Sequence, residues 1–382
     1  MAQLVDSIAP RGGGRQLLLV GSGHGHLQLL ARLAAQPLAG VQVTLVAPLA
    51  RQFCSAMLPG FVAGDYTLAD CAVELAPLLR HAAVRSHQGR VVRLDAQARS
   101  LQLADGSTLG YDWLSLDPGP MQDRDRIERA IPGAREHGLF VRPIEAFGAL
   151  WPRVTAMAPE RLRSLAVIGS GVTGIELAMA IRQRVPQAAI TLVAGGVLAG
   201  PACPAALRKR IARALQKRAI TVLPDVACAL RPGEVVLGCG ARLACDVPLV
   251  ALGRKAPEWL AGSGLVLDPA GCVAVDACQR STSHPDVFAS GDASSGAAHP
   301  AARHGLRMPR CASALADSLA AVASGAPPVP CQPARPGPDL LALGEQVAIA
   351  SWGPLSVQGH WVWRCKDWRD RRWVDRLRPA GG

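Results

Sequence analysis

The chain has 382 residues, 49% of them hydrophobic, which excludes wholesale disorder and predicts two or three domains with well-buried cores. Its net charge of +12 comes almost entirely from arginine, since lysine occurs only four times, and no aromatic-basic recognition motif accompanies it, so we expect no nucleic-acid binding. No apolar run reaches the roughly 18 residues that span a bilayer, and the first apolar block ends at glycines instead of forming a signal peptide, so we expect a cytoplasmic protein.

The first predicted elements form a β-α-β unit, with a strand at 16–20, a glycine turn leading into a helix to about residue 35, and a strand at 41–46. Such a unit predicts a parallel pair of strands. Residues 53–82 are predicted to be mixed and mainly helical. Further strands are predicted near residues 91–94, 100–103 and 113–116.

A second unit of the same kind begins about 150 residues later, which indicates an internal duplication of architecture. Its elements are a strand at 165–168, a turn at 169–174, a helix to 184 and a strand at 189–193. A helix at 204–217, short strands to 252, a strand at 287–290 and a helix at 313–323 follow. A proline-rich linker at 327–338 then introduces a last module of about 45 residues.

The turn at residues 21–26 reads Gly-Ser-Gly-His-Gly-His and follows the first strand directly. Gly21 and Gly23 permit the tight turn and close approach that a pyrophosphate needs, and the helix N-terminus adds free N–H groups. The third fingerprint glycine is replaced by His26, and Ala47 stands where a ribose-binding acid is expected. Taken alone, this turn leaves open an unrelated α/β sheet with a glycine-rich turn.

The turn at residues 169–174 reads Gly-Ser-Gly-Val-Thr-Gly and has all three fingerprint glycines between an apolar strand and a helical run, which predicts dinucleotide binding. The next strand ends without an acid or an arginine, so NADH is only weakly preferred to NADPH. A third element ends in Gly291-Asp292. It can present a carboxylate and backbone amides to a polyol or phosphate, or only cap a helix.

In their order and spacing, these three elements resemble the pyridine-nucleotide-dependent flavoprotein superfamily, in which an NAD(P)H domain interrupts an FAD domain. The likeness covers about residues 16–325. A closer likeness is to the oxidoreductase fused to selenide, water dikinase, which is akin to type II NADH dehydrogenases and whose first turn also ends in histidine and lacks the acid. The stretches that carry this closer likeness are residues 23–26, 57–60, 63–67, 281–292, 350–355 and 361–368.

The resemblance implies an α/β fold with two Rossmann-like dinucleotide-binding domains and a small C-terminal module, with FAD and either NADH or NADPH as cofactors. The expected division is an FAD domain at 1–140, an NAD(P)H domain at 141–256, the rest of the FAD domain at 257–326, and a C-terminal interface module at 327–382.

The resemblance also implies roles for individual residues. The FAD side would comprise Gly21, Gly23, His24 and Gly25 at the pyrophosphate, Pro59 beside the isoalloxazine, and Gly291 and Asp292 at the ribityl and phosphate region. The nicotinamide side would comprise Gly169, Gly171, Thr173 and Gly174, while Gly119 and Gly253 end the strands that close each module. Glu176 matches an acid near the nicotinamide and quinone, and the alternative is an acid that the helix dipole favours.

The chain departs from its relatives on the acceptor side of the flavin. Arg303 falls where the family commonly has lysine, Cys311 falls on a glutamine expected close to the flavin, and Cys54 replaces an aromatic residue. Two thiols would thus converge on the isoalloxazine. Either they form a redox pair, or a cysteine-rich sequence placed two small apolar residues there. The eleven cysteines include no C-x-x-C pair, so we expect no metal site.

The expected activity is transfer of electrons from NAD(P)H through FAD to a quinone-like acceptor. The alternatives are a thiol/disulfide or sulfur/selenium oxidoreductase that uses Cys54 and Cys311, and a flavin redox sensor or assembly protein with little turnover. In the tail, Trp361, Cys365 and Trp368 would share one helix face, opposite Val374 and Leu377. Three roles for this helix stay open: it packs onto the body, it forms a homodimer contact, or it makes a peripheral contact with the inner face of the membrane.

Overall fold

The computed structural model describes residues 14–119, 121–253, 255–296, 309–331 and 337–378, except for the side chains of residues 296 and 309–312. The elements before residue 120 are strands β1 (Arg15–Val20), β2 (Val41–Ala47), β3 (Arg51–Phe53), β4 (Ala72–Glu74), β5 (Arg85–Gln88), β6 (Val91–Asp95), β7 (Ser100–Leu103), β8 (Thr108–Gly110) and β9 (Trp113–Leu116), and helices α1 (His24–Ala35), α2 (Leu58–Ala63) and α3 (Leu75–His81).

The middle of the chain repeats this sequence of elements. It comprises helices α4 (Arg124–Ala130), α5 (Ala134–His137), α6 (Ile144–Thr155), α7 (Val172–Arg184) and α8 (Ala205–Lys217), and strands β10 (Leu139–Phe140), β11 (Ser164–Ile168), β12 (Ala189–Val193), β13 (Ile220–Leu223), β14 (Ala227–Arg231), β15 (Glu234–Leu237), β16 (Arg242–Ala244) and β17 (Val247–Val250). The last part comprises strands β18 (Val273–Val275), β19 (Val287–Ala289), β20 (Ser294–Gly296), β21 (Asp339–Ala342), β22 (Ala348–Trp352) and β23 (Leu355–Gly359), and helices α9 (Pro309–Ala323) and α10 (His360–Arg376).

Two five-stranded parallel sheets form the body of the molecule, in the orders β19-β9-β1-β2-β5 and β10-β17-β11-β12-β13. Their central strands are apolar runs buried on both faces, as parallel sheets covered by helices require. Each module also carries a three-stranded antiparallel meander, β6-β7-β8 in the first and β14-β15-β16 in the second. The predicted duplication and α/β fold class are therefore confirmed.

The first sheet is completed by a strand from far along the chain. Strand β19 pairs in parallel with β9, so Val287 lies opposite Leu114. The second module is therefore inserted into the first. The chain passes from the first module to the second at about residue 121 and returns at about residue 255. These two crossing segments lie side by side, because Met121 and Lys255 exchange backbone hydrogen bonds of 3.3 and 2.9 Å.

The elements at 124–140 pack with the second module. Strand β10 pairs with β17, and Ile127, Ile131 and Phe140 share a core with Ile168 of β11. The predicted boundary at residue 140 falls after these elements, so we propose to move it to the crossing at residue 121. The physical reason is that short helices without a fingerprint motif give no sequence signal of which sheet they cover.

Residues 53–82 contain more than the predicted helices. Strands β3 and β4 pair antiparallel, and a 3₁₀ turn at Ser55–Met57 leads into α2. Helix α2 packs against α7 of the second module, and the indole N–H of Trp151 donates to Val62 O at 3.1 Å. Residues of both modules consequently share one hydrophobic core.

The tail forms an antiparallel sheet, β21-β22-β23, followed by α10. Val374 and Leu377 are buried, whereas the side chains of Trp361 and Trp368 are 57% and 61% exposed and Cys365 is exposed as well. The two helix faces predicted from the sequence are thus present, and the face that carries Val374 packs onto the body. Within the described ranges, no helix is both long enough and apolar enough to cross a membrane.

Candidate functional site

His26 takes the place of the third fingerprint glycine at the first turn. Its ring is fully buried, with Nδ1 at 2.6 Å from Gly21 O and Nε2 at 2.8 Å from Ser115 Oγ. A neutral ring with its proton on Nδ1 satisfies both contacts. Desolvation lowers the pKa of His26, which favours this neutral form. His26 therefore joins the turn to β9, a contact made possible by the small side chain of Ser115.

The N-terminus of α1 is occupied by a carboxylate from the end of β9. Asp117 Oδ2 accepts hydrogen bonds from the N–H groups of Gly25 at 2.7 Å and His26 at 3.2 Å, and Gly23 N–H donates to Asp117 O at 2.9 Å. The side chain of Asp117 is only 3% exposed. This contact could not be predicted from the sequence, because residue 117 is far from the turn along the chain.

The turn at Ser290–Asp292 lies against the first glycine turn, because β19 and β9 are neighbours in the sheet. A Cβ at Gly25 would lie 2.7 Å from Ser290 Oγ, and one at Gly291 would lie 2.7 Å from Asp117 Oδ1. Ser290 is buried, and its hydroxyl has no hydrogen-bond partner among the described residues. A buried hydroxyl that lacks a partner fits a ligand oxygen, as the phosphate or ribityl groups of FAD would supply.

The second glycine turn has the open geometry of a phosphate site. Gly169 has φ +135°, and a Cβ at Gly174 would lie 2.1 Å from Gly169 O, so both positions require glycine. Within the part of the chain that the structure describes, a Cβ at Gly171 would meet nothing within 4 Å, and no side chain caps α7. The first-turn N–H groups and the positive end of the helix dipole are therefore available to an anion.

A cavity of about 420 Å³ lies between the two modules and the tail helix. The sequence-predicted residues that line it are Pro59, Gly169, Gly171, Thr173, Glu176, Gly253 and Asp292. The structure thus brings the second turn, the flavin-side proline and the Gly-Asp turn to one space. The predicted residues that do not line it, among those described, are Gly21, Gly23, His24, Gly25, Cys54, Gly119, Gly174 and Gly291.

Lys366 of α10 also lines this cavity, although the sequence did not single this residue out. Its Nζ donates to Ala56 O and to Asp370 Oδ2, each at 2.7 Å, and the two side chains are 7% and 4% exposed. Desolvation acts to lower the pKa of Lys366, but the charges of Asp370 and Glu176 outweigh it and raise the pKa. The one feature of the sequence that indicated this ion pair was the i,i+4 spacing of Lys366 and Asp370.

Glu176 lies beyond the first turn of α7, so the helix-dipole alternative does not account for it. Its Oε1 accepts from Ala342 N–H at 2.8 Å, which ties α7 to the tail sheet. Desolvation raises the pKa of Glu176 to about 7, with Asp370 adding to the increase and Lys366 opposing it. A carboxyl group at the cavity wall can therefore take up or release a proton near neutral pH.

We expect this raised pKa to make folding stability depend on pH. The folded carboxyl holds its proton up to about pH 7, but the unfolded one only to about 4.5. The stabilising contribution of this carboxyl group to folding is therefore fully present below about pH 4.5 and is lost as the pH rises through 7. The wild-type free energy of unfolding should fall by about 1–3 kcal/mol over this window, and Glu176→Gln should remove that slope. Urea unfolding between pH 4.5 and 7 measures this change in the free energy of unfolding, and Glu258→Gln, at an exposed carboxylate, is the control. Parallel pH profiles for Glu176→Gln and wild type would contradict the prediction.

Cys54 is buried, and desolvation raises the pKa of its thiol to about 12. Its N–H donates to Cys71 O at 2.8 Å, so the neighbouring thiol among the described residues is that of Cys71. The side chain of Cys311, its predicted partner, and Arg303 lie outside the described residues. The ring of His24 lies 4.4 Å from that of Trp373 in α10, so the tail covers this end of the first turn.

A family model described as "Pyridine nucleotide-disulphide oxidoreductase" matches residues 15–308. The ferredoxin--NAD(+) reductase component of the p-cumate 2,3-dioxygenase system of Pseudomonas putida is 32% identical over 210 residues, which are 54% of this chain and 49% of that protein. The chain spans about half the length, or less, of the curated relatives it matches.

Solved structures share the fold at low sequence identity. The sulfide:quinone oxidoreductase of Aquifex aeolicus superposes with a TM-score of 0.78 at 16% identity, covering 96% of this chain and 92% of that one. NDH2 of Plasmodium falciparum superposes with a TM-score of 0.76 at 12% identity, covering 95% and 97%.

The matched range includes both glycine turns, the Gly-Asp turn and the whole inserted module. FAD and NAD(P)H are the cofactors of this family, so the predicted cofactors and the predicted oxidoreductase class are confirmed. The closer likeness to the oxidoreductase fused to selenide, water dikinase stays a prediction. The chain belongs to the pyridine nucleotide-disulphide oxidoreductase family.

Proposed function

We propose that the protein passes electrons from NAD(P)H, by way of FAD, to a small quinone-like acceptor. The observation that carries the proposal is the cavity between the modules, because residues assigned to NAD(P)H and residues assigned to the flavin line the same space. Two cofactors that react must approach within contact distance, and a shared cavity allows this. When bound, the flavin would supply the two-electron chemistry.

The chain's own contribution is to bind, to orient and to handle protons. Gly171 leaves room for the pyrophosphate of NAD(P)H at the N-terminus of α7, while Gly169 and Gly174 allow the close backbone packing of the turn. Asp292 and Pro59 would hold the flavin from the other side of the cavity. The nicotinamide would then lie between the modules.

Glu176 is the residue that we assign to proton handling. Reduction of a quinone consumes two protons, and a carboxyl group with a pKa of about 7 can supply one near neutral pH. The buried ammonium of Lys366 faces the same cavity, and its charge would favour an acceptor that becomes negative during reduction. These two groups favour a small polar-headed acceptor over a purely apolar one.

An acceptor screen with FAD-loaded protein tests the acceptor assignment. With NADH or NADPH in excess, we expect a soluble quinone to turn over at least about tenfold faster than a small disulfide or a ferredoxin. The names of relatives include a ferredoxin reductase component and a sulfide:quinone oxidoreductase, so both acceptor classes belong in the screen. Faster turnover with ferredoxin than with quinone would contradict the proposal, and negligible turnover with all of them would favour the sensor alternative.

A thiol/disulfide activity is the second candidate, since Cys54 and Cys71 are backbone neighbours beside α2. A thiol whose pKa is near 12 is protonated at neutral pH and is a poor nucleophile. We therefore expect Cys54→Ala to change turnover with quinone and with a small disulfide by less than about twofold. Cys245→Ala is the matched control, at a buried thiol of the second module whose pKa is also raised to about 12 by desolvation. Loss of disulfide turnover alone in Cys54→Ala would establish the thiol activity instead.

The exposed aromatic face of α10 supports a peripheral contact through Trp361 and Trp368, either with a membrane or with a second copy of the chain. The indole of Trp368 has Arg372 above it at 5.0 Å, an arrangement that suits an anionic surface. Flotation with anionic vesicles tests membrane contact, and sedimentation tests self-association. Absence of both would remove this part of the proposal.

A further inference from the structure

The carboxylate of Asp117 lies at the anion-binding end of α1. Two N–H groups of the helix, from Gly25 and His26, donate to it at 2.7 and 3.2 Å. These are groups that a dinucleotide fingerprint normally presents to a pyrophosphate. The chain itself therefore places a negative charge at the helix end that attracts one.

The glycines of both turns fit around this carboxylate. A Cβ at Gly23 would lie 2.1 Å from Asp117 Oδ1, one at Gly25 would lie 2.8 Å from Oδ2, and one at Gly291 would lie 2.7 Å from Oδ1. Glycine at these three positions is thus required by the side chain of Asp117 as well as by any cofactor. The backbone of Asp117 is also fixed, because its N–H donates to Val20 O at 2.9 Å and its carbonyl accepts from Gly23 N–H.

A second observation indicates that a ligand also belongs here. The hydroxyl of Ser290 is buried next to Gly25 and has no hydrogen-bond partner among the described residues. The site therefore has one anionic group built in and one polar group still unsatisfied. A diphosphate that satisfies Ser290 must come close to the carboxylate of Asp117.

Among the described residues, no lysine or arginine side chain forms an ion pair with the carboxylate of Asp117. The two histidines that feel its charge, His24 and His26, both have pKa values lowered by desolvation, so they are neutral near pH 7. A diphosphate beside an unneutralised carboxylate is repelled, and the repulsion is weakly screened because the site is buried.

We propose that Asp117 is a built-in occupant of the phosphate site at the N-terminus of α1, which stabilises the FAD-free protein and competes with the diphosphate of FAD. The contact of Asp117 with the N-terminus of α1 thereby limits the affinity of the protein for FAD. FAD would bind more weakly and exchange faster than the two glycine turns alone would allow. This inference rests on FAD binding by the family and not on the identity of the acceptor, so it is unaffected if the quinone proposal fails.

The test measures flavin affinity of the FAD-free protein by flavin fluorescence. Asp117→Asn keeps the shape and the acceptor oxygen but removes the charge, and we expect FAD to bind at least about fivefold more tightly. Riboflavin has no phosphate and is the matched control ligand, whose affinity should change by less than about twofold. Asp117→Ala removes the cap as well, so the FAD-free protein should have a lower thermal midpoint while FAD still binds more tightly.

Ser290→Ala should have the opposite effect and weaken FAD binding, because it removes the hydroxyl that would form a hydrogen bond with the ligand. Equal or weaker FAD binding in both Asp117 variants would overturn the proposal. So would an equal gain in affinity for riboflavin, since that gain could not arise from the phosphates. A higher thermal midpoint for FAD-free Asp117→Ala would overturn the stabilising role.

Discussion

Gly171→Ala is expected to weaken NAD(P)H binding by at least about tenfold while the thermal midpoint of the protein stays within about 2 °C of wild type. Among the described residues, a Cβ at this position meets nothing within 4 Å, and the backbone of Gly171 is in an extended conformation that alanine adopts freely. The added methyl group therefore costs the fold little. It projects into the space where the pyrophosphate must approach α7, so the cost falls on the cofactor.

The contrasting variant is Gly174→Ala, one turn further along the helix. Its Cβ would lie 2.1 Å from the backbone oxygen of Gly169, which cannot move away as a flexible side chain could. We expect this variant to lose both stability and NAD(P)H binding. Calorimetric titration of each variant with NADH and NADPH, alongside thermal unfolding, separates the two effects. Wild-type affinity in Gly171→Ala would mean that the second turn does not hold the cofactor.

Lys366→Met is expected to lower the free energy of unfolding by about 3 kcal/mol. The substitution removes the ammonium that binds Asp370 Oδ2 and Ala56 O, both at 2.7 Å, and leaves the carboxylate of Asp370 buried. Loss of one partner of a buried ion pair costs much more than the pair contributes, because the remaining charge is not solvated. Arg369, which also contacts Asp370, limits the loss.

The matched control for this variant is Lys255→Met. Lys255 also forms ion pairs with two carboxylates, but it is 37% exposed, so the same substitution should cost less than about 1 kcal/mol. A double variant with Asp370→Leu should recover part of the loss, since no buried charge is then left. Urea unfolding of the four proteins measures these differences. Equal losses in Lys366→Met and Lys255→Met would show that the buried pair has no special role.

The sequence predicted well what depends on local pattern. Apolar strands followed by glycine turns indicated both dinucleotide modules, whereas the return of a late strand to the first sheet was implied only by the family resemblance. The second turn was identified from its own residues. The first became convincing only through the resemblance, and the contacts of His26 now explain how a histidine can stand where glycine is expected.

What the sequence could not provide were contacts between segments far apart in the chain. Lys366 meets Ala56 across 310 positions, and its burial could not be inferred from a helix whose other basic residues lie mostly at the surface. Asp117 ends a strand with no motif that connects it to the first turn. The pairing of Cys54 with Cys311 stays a prediction, because the side chain of Cys311 lies outside the described residues, while the contact of Cys54 with Cys71 was not indicated by the sequence. Pairing of thiols depends on tertiary geometry that spacing does not reveal.

Anaerobic titration of the FAD-loaded protein with NADH and, separately, with NADPH shows directly whether the two modules hold cofactors that react with each other. We expect one equivalent of at least one nucleotide to bleach the flavin absorbance, and Gly171→Ala to require a much higher concentration for the same bleaching. A flavin that is bleached by dithionite but stays oxidised with both nucleotides would contradict the proposed electron transfer, because the two modules would then hold no reacting pair of cofactors.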